Sequence, residues 1–353
     1  MKQKSLNLTL KNNTNNMFRM LLKNLNKKYV FGVLLLSLFL FSCKSSDNPK
    51  EVATYPTPEL LQNLSDIGLF KGAMSNIEPV STVEVYNLQT ALFTDYCHKT
   101  RFLSIPEGES MQYVDDGFPN YPDNTILAKT FYYYNDERDH SQGKKIIETR
   151  VLIKKAGVWE IGNYLWNDAQ TDAVRTENSH IVPITWINDA GESNSIDYEV
   201  PDYASCVNCH QNAGVRTPIG PKLRNMNTTH NGENQLQHFI DKGLLTGVDA
   251  GTEVLILPKW NDTQYTKEQR SRAYLDVNCA HCHQPGGFYD MQFGSTFEFR
   301  YETRMSGTGI FEKRDAIVTR MHSNVPNYGM PYIGTTIKHT EGIALIEDWL
   351  NSL

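Results

Sequence analysis

From about residue 80 to residue 200 the hydrophobic and polar positions read as strands, and beyond that apolar residues recur at helical spacing in separate segments. Residues 125–134 are β-branched and aromatic. Residues 144–155 alternate in their second half, with Thr149, Val151 and Ile153 on one side and Glu148, Arg150, Leu152 and Lys154 on the other. Residues 157–166 follow as a hairpin partner would, and residues 179–186 and 195–200 add further strands. This pattern predicts a mostly antiparallel, sandwich-like β domain. Ahead of it, residues 57–68 predict a short helix, with Thr57 as N-cap, Pro58 in the first turn and Gly68 as stop. Later, residues 234–243 predict a helix ended by Gly243. Thr266 and Gln269 predict a capping box that opens a helix running into Cys279. At the end of the chain Ile343, Ile346, Leu350 and Leu353 share one helical face beside Trp349, with Thr340 as the expected N-cap.

The chain starts differently. Residues 1–28 carry Lys and Arg but no acid, and residues 29–41 form a 13-residue apolar run. That run is short for a membrane span and suits a signal peptide. It ends at Leu40-Phe-Ser-Cys43, which resembles a lipobox. Residues 1–42 are therefore expected to be a lipoprotein signal peptide, Cys43 the lipid anchor and residues 43–56 a tether. Taking seven of the 34 cations away with the signal leaves 27 against 40 acids, a net of −13. Such a surface argues against nucleic acid as a partner, since phosphates need clustered cations. It suits a body tethered near a membrane outside the cytoplasm.

The six cysteines are concentrated. Four lie in two copies of Cys-x-x-Cys-His, Cys206-Val-Asn-Cys209-His210 and Cys279-Ala-His-Cys282-His283. Three chemistries use such thiols. Zinc at Cys206, Cys209, Cys279 and Cys282 would leave His210 and His283 unexplained. A redox dithiol calls for a βαβ setting, which neither motif has. Covalent haem uses every residue, with two thioethers and an adjacent histidine as proximal iron ligand. The expectation is two haem c groups, with iron held by His210 and His283. Residues 265–353 resemble a class I cytochrome c, in which the sixth ligand comes from a loop before the last helix. Met330, beside Pro331 and between Gly329 and Gly334, stands in that loop and is expected to bind the second iron. For the first iron the candidates are Met226, His230, His238, His98 and Met321. Asp168 and Asp172, four apart, offer acid–base or cation chemistry or, as a blander alternative, a polar turn.

Together these residues resemble a family of exported bacterial dihaem c-type cytochromes with an N-terminal β domain. The likeness runs through residues 95–102, 147–153 and 164–173, both haem motifs and Met330-Pro331. The lipobox and its Lys- and Asn-rich flanks resemble lipoproteins of Bacteroidetes type. Cys97 departs from the family pattern, which has a small non-thiol residue there. The resemblance implies electron transfer and supplies no substrate.

The expected architecture is thus a multidomain α+β chain. Residues 57–200 would form the β domain with its leading helix, 201–264 a first haem segment and 265–353 a helical, cytochrome c-like second haem domain. The expected function is electron transfer by a membrane-anchored dihaem cytochrome, with a redox partner protein outside the cytoplasm. Two rivals stand beside it. One is a dihaem peroxidase-like oxidoreductase with an open iron position. The other is a haem-bearing binding module whose β domain grips a glycan or protein.

Overall fold

Six strands follow one another as an antiparallel meander: β1 (Val83–Tyr86), β2 (His98–Ser104), β3 (Ile126–Tyr134), β4 (Lys144–Lys155), β5 (Val158–Trp166) and β6 (Ala173–Thr176). The computed structural model describes residues 57–294 and 297–353. The expected signal segment and Cys43 lie outside the described residues, and among those described no helix is long and apolar enough to cross a membrane.

The period-two alternation gives the sheet two distinct faces. On one, Phe102, Ala128, Val151 and Tyr164 bury against Leu64 and Leu69 from the segment before the sheet. On the other, β2 to β5 present three successive rungs. Leu103, Leu127, Leu152 and Ile161 form the first, Arg101, Lys129, Arg150 and Asn163 the second, and Lys99, Phe131, Glu148 and Leu165 the third. The first rung is covered by residues after 200, including Cys206, Leu223 and Met226. Phe131 of the third, together with Tyr133, is covered by the hairpin β7 (His180–Ile187) and β8 (Ser193–Val200) through Ile184, Trp186, Ile196 and Tyr198.

Seven helices among the described residues follow: α1 (Tyr203–Cys209), α2 (Leu223–Met226), α3 (Gln235–Asp241), α4 (Lys267–Asn278), α5 (Phe288–Phe293), α6 (Ile310–His322) and α7 (Thr340–Leu350). Tyr274 and Leu275 of α4 pack with Ile317 and Met321 of α6 and Ile346 and Trp349 of α7. Gly342 lets α4 and α7 approach closely, because a Cβ there would stand 2.6 Å from the Tyr274 ring.

This architecture corrects the expected fold class. The sheet is a single six-stranded layer with a two-stranded hairpin at one end of one face, not a sandwich. Residues 57–353 form one compact unit. Nor are the residues after 200 a self-standing helical cytochrome-like region. Short helices alternate there with two-residue strand pairs, and Leu245–Thr246 pairs in parallel with Met111–Gln112 from the N-terminal half. The physical reason lies in the β1–β2 connection, whose polar groups find partners across the whole C-terminal half. The Thr90 amide donates to Asn225 Oδ1 at 2.9 Å, and its hydroxyl to the Pro258 carbonyl at 2.9 Å. The Phe93 amide donates to Asn278 Oδ1 at 2.7 Å. The Asp95 carboxylate accepts from the Thr336 and Ile337 amides.

Two local expectations also change. Residues 57–68 do not make the leading helix; only a 3-10 turn, Ser65–Ile67, forms before Gly68. The Leu64 amide donates to the Ala173 carbonyl and the Arg175 amide to the Gln62 carbonyl, so the segment lies along β6 instead. At α7 the N-cap is His339, and Thr340 is the first helical residue. The capping box at Thr266 and Gln269 forms as the sequence indicates.

Candidate functional site

The first motif leaves the sheet through Asp202, whose carboxylate accepts from the Ser205 amide at 2.8 Å and caps α1. Cys206 is buried against the leucine rung and Met226, while Cys209, one turn on, is half-buried. His210 ends the helix and is buried. Its Nδ1 lies 2.9 Å from the Thr217 carbonyl, and the Thr217 amide donates back to the His210 carbonyl at 2.9 Å. This reciprocal pair fixes the ring and leaves Nε2 for a ligand, the arrangement that orients metal-binding histidines. Burial, then the charge of Lys129, pushes the imidazole pKa down to about 3. The ring is neutral, as coordination requires.

The second motif is delivered by α4. After Cys279 the chain keeps a helical turn, with the Cys282 and His283 amides both donating to the Cys279 carbonyl, at 3.1 and 3.0 Å. Burial pushes the Cys279 thiol up to about 12. The His283 ring sits among Tyr289, Phe297 and Phe299, with centroids at 4.4, 5.4 and 5.2 Å. Its pKa is pushed down to about 4, chiefly by burial. Its Nδ1 is buried with no hydrogen-bond partner, a state that calls for explanation in a folded protein. Gly287 is held to hydrogen by sterics, since a Cβ there would lie 2.5 Å from the Cys282 carbonyl oxygen.

The two motifs converge. The Asn212 side chain donates to the Pro285 carbonyl at 2.7 Å, and the Ala213 amide to the Gly286 carbonyl at 2.6 Å. Ligand atoms of Cys209, His281 and Cys282 lie within 4.8 Å of one another. The Cys282 thiol hydrogen-bonds to Cys209, which lowers the pKa of Cys209 and raises that of Cys282. His281, whose buried Nδ1 has no partner, was not singled out by the sequence; the second histidine inside the motif was the available signal. Cys206 and Cys279 stand outside this group, so the four thiols do not gather as a tetrathiolate zinc site requires. Below the motifs, Asp276 of α4 accepts from Lys222 at 2.7 Å and from Arg224 at 3.1 Å. Burial opposes its charge, but the two cations outweigh burial and keep its carboxyl below the usual range.

The remaining candidates scatter. Met330 is half-buried on the α6–α7 connection, its amide donating to the Arg320 carbonyl at 2.8 Å. Tyr332, two residues on, stacks on Phe288 at 6.2 Å, which brings that connection to the segment just after His283. Met226 is buried in the cluster that holds Cys206, and Met321 in the cluster that Cys279 packs against. His230 and His238 line a cleft of about 290 Å³. There His230 meets Asn87, and His238 pairs with Glu84 and Glu233. His98 pairs with Glu137 at 2.9 Å and stacks on Tyr132. Asp172 accepts from the Ser65 amide and hydroxyl, pinning the leading segment, and exposed Asp168 meets Lys145 at 3.1 Å. Cys97 is buried beside Tyr133 and Tyr198.

No protein-family model matches this chain, and no characterised protein or solved structure does either.

The residues present fit covalent haem. Each motif sets two thiols one helical turn apart and follows them with a neutral imidazole held by its surroundings. The ring of His210, fixed through Nδ1, suits a ligand better than a packing residue, whereas His283 is held by its aromatic neighbours and has no partner at Nδ1.

Proposed function

We propose that this chain is an exported, lipid-anchored dihaem c-type cytochrome that passes single electrons to a partner protein outside the cytoplasm. Cys206 and Cys209 would hold one haem and Cys279 and Cys282 the other, with His210 and His283 as proximal ligands and Met330 as distal ligand of the second. Haem, when bound, supplies a one-electron ferric/ferrous couple. The protein's own share is to hold each imidazole neutral and oriented, and to keep the two motifs adjacent through the Asn212–Pro285 and Ala213–Gly286 hydrogen bonds. The observation that carries this reading is the His210–Thr217 pair, which presents the free ring nitrogen directly after two thiols on one helical turn.

The cluster of Cys209, His281 and Cys282 supports a second reading, a single soft metal ion bridging the motifs. One preparation separates the two. The chain is exported from a host with c-type haem maturation and weighed intact. Two covalent haems are expected. A chain whose mass includes no covalent haem and which carries one zinc would replace the cytochrome reading. Oxidised and reduced spectra with added carbon monoxide then divide carrier from enzyme. Two low-spin haems indifferent to the gas mark a carrier, whereas one haem that binds it marks an oxidoreductase of peroxidase type. Met330→Ala is expected to alter the spectrum of one haem while both stay attached.

A further inference from the structure

A sheet face packed under two apolar covers ordinarily carries apolar residues throughout. Here the middle rung breaks that rule. Arg101, Lys129 and Arg150 stand directly opposite one another on β2, β3 and β4. Like charges in direct register destabilise a sheet unless something offsets them. The rung is enclosed between the leucine rung and the rung of Phe131 and Glu148; Arg101 is buried, and Lys129 and Arg150 are half-buried. The ion pairs among the described residues bring it one carboxylate, fully buried Glu148, which meets Arg150 at 2.6 Å and accepts from the Tyr198 hydroxyl at 2.8 Å. The Phe131 ring faces Lys129 at 5.0 Å and Arg150 at 4.6 Å, a modest offset. At the end of the row Asn163 is buried, and its Oδ1 has no hydrogen-bond partner. Burial, then Arg150 and Arg101, drives the Lys129 ammonium pKa well below its usual value. Cys206 of the first motif packs on Leu103, Leu127, Leu152 and Ile161, the rung next to the cations, so the row adjoins the first motif.

We propose that Arg101, Lys129 and Arg150 form an anion site beside His210, built to receive a carboxylate-bearing ligand. Guanidinium forks match a carboxylate in two hydrogen bonds, and the ammonium adds a point charge between them. Two sources share this chemistry: the propionates of a haem held at Cys206, Cys209 and His210, and a free small dicarboxylate. The first source rests on the haem reading; the second does not.

The test uses the full exported chain, with covalent haem first counted by intact mass. Wild type, Lys129→Met and Lys129→Arg are compared by redox titration and by melting in increasing succinate, with sodium chloride at matched ionic strength as control. If propionate occupies the site, Lys129→Met lowers one haem potential and leaves the other, Lys129→Arg restores it, and succinate has no effect. If a free dicarboxylate does, succinate raises the wild-type melting temperature saturably and beyond chloride, and Lys129→Met weakens that response about tenfold or more. Potentials and succinate response unchanged in Lys129→Met overturn the proposal and leave the row as sheet structure. Arg101→Gln, at the other side of Lys129, carries the same readouts should Lys129→Met fail to accumulate. A chain without haem sinks the cytochrome reading alone, and the succinate titration still decides the anion site.

Discussion

The first Cys-x-x-Cys-His motif ends a helix of seven residues capped by Asp202, whereas the second follows a helix of 12 residues opened by a capping box. The first imidazole is tied to a backbone carbonyl and feels the charges of Lys129 and Arg150. The second sits among three aromatic rings with a buried nitrogen unpaired. Identical motif letters therefore receive different surroundings. The motif supplies attachment; the fold around it supplies the electrostatics. Under the cytochrome reading the two irons would differ in potential for this reason, since hydrogen bonding to the ligand and nearby charge are the protein's main levers on haem.

The strongest way to break this comparison is to ask whether the two motifs belong to one folding unit. Asp276 is the joint, with a side chain 1% exposed between Lys222 and Arg224 of the first segment, on the helix that carries the second motif. Removing one partner of a buried ionic group leaves the others uncompensated, at a cost of about 3–5 kcal/mol. Asp276→Ala is expected to lose stability of that order in urea denaturation, with hydrogen exchange accelerating in α1 and α4 together. Exchange that rises in α4 alone would show the motifs to be independent after all. Glu302, which also meets Arg224 at 2.6 Å, keeps the loss toward the lower end.

A smaller effect should touch the second region alone. His339 stacks on Phe93 at 4.2 Å, hydrogen-bonds with Tyr274 and caps α7. Burial pushes its pKa down to about 4, although Glu341 pulls the other way. The unfolded chain then takes up the proton first, near the ordinary value of about 6.5. Stability is complete above that pH and drains as pH falls toward 4, where it levels off. The loss is up to about 2 kcal/mol, reduced by the exposed Glu341 and by solvent. Melting followed between pH 7 and 4 is expected to show this slope in wild type and a shallower one in His339→Phe. Equal slopes would remove His339 as the cause.

Much of this arrangement is legible in the sequence, and what is not has a common origin. Strand β3 follows from its β-branched and aromatic content, β4 from alternation, β5 as its hairpin partner and α4 from its capping box, because these signals are local. Residues 57–68 carry equally good local helix signals, yet their amides and carbonyls are taken by β6, which no local pattern announces. The cationic row escapes for a similar reason. Lys129 in isolation reads as an outward polar position in a strand, and only the register of three strands places it opposite Arg101 and Arg150. His98 is a ligand candidate in the sequence because a β domain could lend one to a neighbouring haem; in the structure it pairs with Glu137 from the β3–β4 connection, which no local pattern announces. The sandwich expectation failed because periodicity shows that a face is buried but not what buries it.

The finest distinction between the two motifs lies in their caps. Thr266 accepts from the Gln269 amide at 3.2 Å, and Gln269 Oε1 accepts from the Thr266 amide at 2.9 Å, so the second motif's helix starts on a neutral pair. Asp202 caps the first with a carboxylate, whose pKa the Ser205 amide and hydroxyl hold below the usual value. Losing either cap costs about 1 kcal/mol at neutral pH. Acid should separate them. A carboxylate with a depressed folded-state pKa contributes fully above its unfolded value of about 3.9 and loses that contribution as pH falls through the folded one. Asp202→Ala should therefore differ from wild type at pH 7 and converge on it in strong acid, whereas Thr266→Ala should stay displaced at both. Denaturant midpoints of the three proteins, followed from pH 7 down to strong acid near pH 2, decide it. A Thr266→Ala deficit that also vanished in acid would mean that the helix before the second motif is held by charge rather than by its capping box.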